Sequence, residues 1–382
     1  MIYLDNAATS WPKPAQVVEA MVGYMRHSGG NPGRSGHQLS VDAGRIVYNT
    51  REAIAKLFNV SDPLRVILTM NATHALNIAL MGMLKAGDRV VTTSVEHNSV
   101  MRPLRALEKQ GVELEIVNCD PSGKIDIADW QRALAGGAKL AVAVHASNVT
   151  GRIFPIAQLA QAAHSSGSKI LVDAAQTAGV EDIDMEAMDI DMLAFTGHKA
   201  LLGPQGTGGL VLGKSVDPSE IDPIMRGGTG SASASEEHPD FLPDKFESGT
   251  PNGVGIAGLG TGVCYIAERG LDNIRAHHND LMLSLVSGLA EIDKVRVYGP
   301  STNERRAGLV SFRIEGYENS DIGLTLDEKY EVMCRVGLHC ATTAHKTLGT
   351  FPDGTVRFSI SPLTTASEID QALQAVKEIV SK

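Results

Sequence analysis

The sequence predicts an α/β protein: a mostly parallel sheet covered by helices on both faces, with a smaller α+β unit at the carboxyl end. Three observations predict it. Between residues 65 and 212, short apolar runs alternate with helical stretches, and near-continuous apolar runs are what strands buried on both faces require. After Leu212 that rhythm stops, and long helices and more widely spaced strands take over. Finally, 382 residues are too many for one small core and suit two domains sharing an interface. The expected division is a large domain over residues 15–255 and a small one built from residues 1–14 and 256–382.

Residues 1–14 read as irregular, with Asn6-Ala-Ala-Thr-Ser10 leading into Pro12 and Pro14. Proline suits a first helical turn, so Pro14 opens a helix at Ala15–His27 whose apolar side is Val17, Val18, Met21 and Met25. Residues 28–36, with four glycines and a proline around Arg34, form either a loop able to approach a ligand or a plain connector. A helix over 39–57 follows. Strands are expected at 65–70, 89–93, 112–117, 140–145, 169–172, 191–195 and 208–212, with helices such as 74–84, 100–109 and 156–165 between them. Small-residue loops then surround Arg226 and Gly249. Helices at 254–269 and 272–291, strands at 295–298, 309–314 and 355–360, and a last helix at 366–381 make up the smaller unit.

Hydrophobic residues at 43% and charged residues at 20% describe an ordinary globular protein. A net charge of -10, with no dense Lys/Arg stripe, argues against nucleic acid as a main partner, because phosphate backbones need basic surface. The amino terminus lacks the basic segment and apolar core of a signal peptide, and no apolar run is long enough to cross a bilayer. The four cysteines, Cys119, Cys264, Cys334 and Cys340, form no CxxC pair. Neither a metal site nor a disulfide framework is therefore expected, and reduced thiols in the cytoplasm are.

Ligands of parallel sheets bind beyond the carboxyl ends of the strands, so the residues there carry the chemistry. Lys199 follows the strand at 191–195 through Thr196-Gly197-His198. An amine delivered there is costly to bury unless it has a task; desolvation lowers its pKa, and a neutral amine can form a Schiff base. Asp173 follows the preceding strand, in Asp173-Ala-Ala-Gln176. A helix-capping carboxylate would explain it, and so would an acid paired with a pyridinium N–H. Asp173 and Lys199 open into one crevice, and together they are the two protein features that pyridoxal phosphate requires. Asn71-Ala72-Thr73-His74 marks a helix start that suits either a phosphate or an ordinary cap. His97, after the second strand, either lies against an aromatic ligand or faces solvent, and Asn148 follows the fourth strand.

On these residues the chain resembles the class V aminotransferase superfamily of fold-type I pyridoxal-phosphate enzymes, and within it the cysteine desulfurases. The resemblance covers nearly the whole chain. It rests on Tyr3-Leu-Asp-Asn-Ala-Ala-Thr9, Glu96-His97, Asp173-Ala-Ala-Gln176, Thr196-Gly-His-Lys199, Gly249-Thr-Pro-Asn252, Gly337-Leu-His-Cys340 and Arg357. Cys340 narrows it to desulfurases. The short distance from Cys340 to the next strand is similar to the short-loop, Suf-type group, which overlaps the selenocysteine lyases.

The resemblance implies a seven-stranded sheet and a homodimer with shared active sites. It implies that His97 stacks on the cofactor ring, that Asp173 pairs its nitrogen, and that Asn148 and Gln176 address its phenolic oxygen. Ala72, Thr73, Thr196 and His198 would hold the phosphate, with Thr250 reaching the phosphate of the other subunit. Arg357, with Asn148, would clamp the substrate carboxylate. Lys199 would attach the cofactor and move the Cα proton. Cys340 would take the sulfur of L-cysteine as a persulfide for an acceptor protein, releasing alanine. His339, His345 and Lys346 are expected to act as positive neighbours of that thiol. The alternatives are a lyase acting on L-selenocysteine, and another class V aminotransferase or β-lyase in which Cys340 is structural.

Overall fold

The computed structural model describes every residue except Arg34, Asn303 and Lys382, so the centre of the loop expected around Arg34 lies outside the described residues. Strand β1 (Ile2–Tyr3) leads through an irregular strap to α1 (Ala15–His27) and α2 (Gln38–Leu57). Then come β2 (Val66–Thr69), α3 (Ala72–Met83), β3 (Arg89–Thr93), α4 (Asn98–Glu108), β4 (Glu113–Val117), α5 (Ile127–Leu134) and β5 (Leu140–Val144). They are followed by α6 (Ile156–Ser165), β6 (Lys169–Asp173), β7 (Met192–Thr196) and β8 (Gly208–Leu212). The remainder is α7 (Gly253–Arg269), α8 (Leu271–Ala290), β9 (Val295–Tyr298), β10 (Leu309–Ile314), α9 (Asn319–Tyr330), β11 (Val332–Met333) and β12 (Arg335–Gly337), then α10 (Thr342–Thr347), β13 (Thr355–Ser359) and α11 (Ala366–Val380). Several helices start where the sequence offers an acceptor: Asn71, Asp126, Asn252 and Thr365 each take a backbone N–H of the first turn.

The large sheet has seven strands in the order β2-β8-β7-β6-β5-β3-β4. Only β8 is reversed, antiparallel to both β2 and β7. Because β8 lies between them, β2 still points the same way as β7. The carboxyl ends of β2, β3, β5, β6 and β7 therefore share one edge, which is where ligands bind in such sheets. Gly208 and Gly209 make room for the reversed strand: a Cβ on Gly209 would overlap the Phe195 ring, and one on Gly208 would fall 2.7 Å from Asn71 Cα. That close approach brings the start of α3 beside the end of β7.

Successive residues on the strands enter opposite cores, as the two-residue period requires. Val91, Ala141, Val172, Leu193 and Phe195 pack with Ile54, Phe58, Trp130 and Leu159 on one face. Val90, Leu140, Leu171, Met192 and Leu210 pack with Leu76, Leu80 and Leu104 on the other. A separate core forms between the antiparallel sheet β12-β13-β10-β9 and helices α8, α9 and α11, around Leu285, Phe312, Phe358 and Val376. Ile2 and Leu4 belong to this second core, and β1 pairs with β11. Truncating Phe195 or Phe312 to alanine is expected to cost about 3–5 kcal/mol each.

Sequence and structure differ at ends and in short elements. Residue 65 lies in a 3-10 turn, Pro63–Arg65, rather than in β2, and α3 starts at Ala72 rather than at His74. Helix α9 escapes detection because only Asn319, Ile322 and Leu326 are buried on it. Strands β1 and β11 have two residues each, too few to show a period.

At the edge of the sheet opposite the crevice, His164 meets Asp189 Oδ2 at 2.8 Å and Asp191 Oδ2 at 2.7 Å. Asp191 also accepts from Ile170 N–H, so the cluster joins the starts of β6 and β7. Burial lowers the pKa of His164, but the hydrogen bonds and charges of Asp191 and Asp189 prevail and raise it above 6.5. The raised value means the stabilisation is complete below the unfolded pKa and fades as pH rises through the folded one. His164→Gln is thus expected to lose on the order of 1 kcal/mol against wild type at about pH 5.5, and clearly less at about pH 9. Urea unfolding at both pH values measures this; an equal loss at both contradicts the charge-based account.

Candidate active site

Lys199 leaves β7 through the turn Thr196-Gly197-His198. Glycine is needed there for space: Gly197 N–H donates to Thr207 O at 2.9 Å, and a Cβ would run into the Thr207 hydroxyl and the Leu259 side chain. The strap between β1 and α1 grips the turn from the other side. Ser10 N–H, Thr9 Oγ1 and Lys13 Nζ donate to His198 O at 2.9, 3.1 and 2.9 Å. Ser10 Oγ also donates to Lys199 O at 2.7 Å. The backbone of Lys199 is thereby fixed, leaving the side chain to act.

Burial pushes the Lys199 amine down to about 8, with Asp173 pulling the other way and Arg357 and Arg335 adding to the fall. At the end of β6, burial holds Asp173 above the ordinary carboxylate range, against the Ala175 N–H that its Oδ1 accepts at 2.9 Å and the charge of Lys199. Both partners shift toward neutrality, so desolvation outweighs their attraction. His97 caps α4, its Nδ1 accepting the Ser99 N–H at 3.0 Å, which leaves the proton on Nε2. Burial and then Lys199 lower its pKa to about 3, so its ring is neutral. Burial likewise pushes Glu96, between β3 and β5, up to about 8, while Thr93 Oγ1 and Val144 N–H hold its Oε1.

These groups fit pyridoxal phosphate. Asp173 is 2% exposed at the end of β6, an acid whose charge burial disfavours and a pyridinium N–H would offset. A neutral imidazole is available to lie on a ring, and the buried Nδ1 of His198 and Oδ1 of Asn148 have no protein partner. Gln176 Nε2 donates to Ala7 O at 3.2 Å, and Gln176 lines a small crevice with Lys199, Asn6 and Ser10. The N–H groups of Ala72 and Thr73 lie in the first turn of α3, whose cap is Asn71 Oδ1. Thr196 Oγ1 points back to Thr207 O at 3.5 Å. Thr250 is set apart from this group, on an open groove of about 550 Å³ that it shares with His74, Thr207, Tyr48 and Met70. Its Oγ1 accepts from Asn31 Nδ2 at 3.3 Å.

Cys340 is exposed, in the turn between β12 and α10, and it and His339 have φ of 57° and 47°. Two side-chain-bearing residues in the left-handed region need outside support. Asn148 Nδ2 donates to His339 O at 2.7 Å, and Asn98 N–H donates to Cys340 O at 2.8 Å. Arg357, on β13, is 1% exposed; its Nη1 donates to Asn148 O at 3.0 Å and its Nη2 to Asp5 Oδ1 at 2.9 Å. Asn148 therefore joins the cysteine turn to the arginine. The expected cationic histidines are absent. Burial drops His339 to about 2 and His345 to about 4, so both are neutral, and the Lys346 amine lies over the Phe351 ring. The cation at Cys340 is Arg335, whose Nη2 is 3.5 Å from Sγ. Arg335, Glu96, Asp5, Ser10 and Lys13 are site residues that motif reading passed over. Asp5 stood inside a quoted motif without a role, and nothing local marks Arg335, which sits in a three-residue strand.

Comparison with known proteins sets this geometry among solved relatives. The family model described as aminotransferase class-V matches residues 2–372. A probable cysteine desulfurase of Synechocystis sp. is 35% identical, with 100% of this chain and 91% of that protein covered. One of Methanothermobacter thermautotrophicus is also 35% identical, covering 99% of this chain and 94% of its own length. The apo structure of the cysteine desulfurase of Thermococcus onnurineus superposes with a TM-score of 0.93 at 34% identity, over 100% of this chain and 94% of that one. A cysteine desulfurase from Escherichia coli gives 0.88 at 28% identity, over 99% and 94%.

The depressed amine is directly measurable. In cofactor-free protein, Lys199 is expected to react with an amine-selective label with a midpoint near pH 8, well below that of ordinary surface lysines. Asp173→Asn removes the charge that raises the value and is expected to move the midpoint lower still. Peptide mass mapping keeps Lys199 separate from Lys13, which burial also lowers to about 8. A Lys199 midpoint near that of exposed lysines overturns the assignment.

Proposed function

The chain belongs to the class V aminotransferase family, and on that footing we propose a pyridoxal-phosphate-dependent cysteine desulfurase. It converts L-cysteine to L-alanine and keeps the sulfur as a persulfide on Cys340. The observation that carries this reading is the Cys340 turn: it is exposed, has Arg335 Nη2 3.5 Å from its sulfur, and is tied through Asn148 to Arg357, whose charge acts on the buried Lys199. The other thiols are worse candidates: burial pushes Cys119 and Cys334 up to about 12, and Cys264 lies on helix α7.

Bound pyridoxal phosphate supplies a carbonyl that condenses with amines and a protonated ring that accepts the electron pair left at Cα. The chain's residues do the rest. Asp173 would keep the ring nitrogen protonated, and the neutral imidazole of His97 would lie against the ring. The α3 N-terminus, Thr73, Thr196 and His198 would hold the phosphate. Arg357 and Asn148 orient the substrate carboxylate. Lys199, near neutrality partly unprotonated, takes the Cα proton at Nζ. The Cys340 thiolate attacks the substrate sulfur; an S–S bond forms, the Cβ–S bond breaks, and its electron pair stays on the carbon skeleton, which protonates to alanine.

The reading extends to a homodimer and a cytoplasmic setting. Tyr48, Met70 and Met225 are exposed apolar residues on the groove that carries Thr250, and a second copy covering them would bring Thr250 to a neighbouring phosphate. Unpaired thiols support a reducing compartment. An acceptor protein would collect the persulfide.

Cys340→Ala is expected to cut alanine formation from L-cysteine by roughly a hundredfold or more while leaving cofactor absorbance intact. Quantified alanine, with alkylated persulfide mapped by peptide mass, decides it. Persulfide on Cys264 together with a fully active Cys340→Ala enzyme refutes the desulfurase; a keto acid product favours an aminotransferase. Running L-selenocysteine in parallel tells a lyase from a desulfurase.

A further inference from the structure

Two buried arginine–carboxylate pairs in this chain are built differently. Arg51 donates to both oxygens of Glu247 and to Val66 O, and Glu247 Oε1 also accepts Leu68 N–H at 2.6 Å. That pair is bidentate and satisfied, as a structural ion pair should be. Arg357 is as deeply buried, yet Asp5 takes only one of its donors, Nη2, and Nε has no partner. An orphaned buried N–H on a cation is destabilising, because its desolvation is not repaid by a hydrogen bond. Nε and Nη2 form one edge of the guanidinium, the edge that accepts a carboxylate through two parallel hydrogen bonds. Asp5 thus half-occupies that edge.

Asp5 is also free to leave. Its backbone is held by a bridge to Ser359, but its side chain reaches solvent, 22% exposed against 1% for Arg357. It lies on the strap that, five residues later, holds Lys199 O through Ser10 Oγ at 2.7 Å.

We propose that Asp5 is an intramolecular competitor of the substrate carboxylate: the amino acid seats on the Nε–Nη2 edge of Arg357 by displacing Asp5, and Asp5 returns as the product leaves. The proposal rests on the reading of Arg357 as the substrate clamp. It makes Asp5 a determinant of affinity for carboxylates. Between turnovers Asp5 offsets the charge of a buried arginine, and it weakens retention of alanine, which carries the same carboxylate as the substrate.

The test is binding by the holoenzyme of L-alanine, of propionate and of ethylamine, which lacks the carboxylate. Asp5→Asn and Asp5→Ala are each expected to bind L-alanine and propionate about fivefold more tightly, the scale of one partly exposed ion pair, with ethylamine unchanged. Unchanged or weaker carboxylate binding in variants that melt like wild type overturns the proposal, because Asp5 would then only hold Arg357 in place. A crystal structure of the wild-type holoenzyme with propionate answers the question even if both variants fail to fold. Asp5 Oδ1 beyond hydrogen-bond distance of Nη2, with propionate on the Arg357 edge, supports the competitor; an unmoved Asp5 refutes it. Alanine release from L-cysteine is followed on the same proteins. Its absence in wild type would refute the desulfurase and leave the carboxylate result to stand or fall alone.

Discussion

The site depends on one electrostatic constraint: an acid and an amine are buried on the carboxyl edges of adjacent strands, and desolvation keeps each short of its full charge. Placing Asp173 and Lys199 there would be destabilising in an ordinary core. Much of the surrounding architecture serves to hold that arrangement. The starts of β6 and β7 are joined by Asp191 and His164, the turn after β7 is locked by Thr207, and the strap residues Ser10 and Lys13 hold its carbonyls. The reversed β8 lets β2 deliver the start of α3 to the same edge. Burial, and after it the charge of Lys199, keeps His97 and His198 neutral rather than cationic at this edge.

The second core is coupled to this edge by few but specific contacts. Strand β13 sends Arg357 to the carbonyl of Asn148, β12 sends Arg335 to the Cys340 sulfur, and Asn148 returns a hydrogen bond to the cysteine turn. The amino-terminal strap belongs to both sides, since Leu4 is in the second core while Ser10 grips the lysine turn. A change in the strap is therefore felt at both Arg357 and the lysine.

Much of the fold was legible because long apolar runs are unambiguous: the seven strands of the large sheet, α1 and α6 stand where their periods place them. The short β1, β11 and β12 were not, because two or three residues show no period, and β1 finds its partner β11 some 330 residues away. The lysine, the acid and the cysteine were legible from residue type at strand ends and from resemblance. The electrostatics around Cys340 were not. His339 and His345 look like cations in a string of letters, and only burial shows that they are neutral, while Arg335 reaches the sulfur by strand pairing. Asp5 illustrates the same limit, since its partner lies 352 residues away.

The turn that bears Cys340 has a mechanical consequence. It spans only residues 338–341 between β12 and α10, and the Asn148 side-chain amide and the Asn98 main-chain N–H hold its carbonyls at His339 and Cys340. At about 3.4 Å of reach per residue, so short a tether cannot swing its cargo across the surface. On the proposed reading, a sulfur atom loaded there would stay on this turn. Delivery would then work like a loading dock rather than a crane: the recipient would bring its own nucleophile to the berth, and traffic would be governed by which surfaces can moor beside α4 and α10.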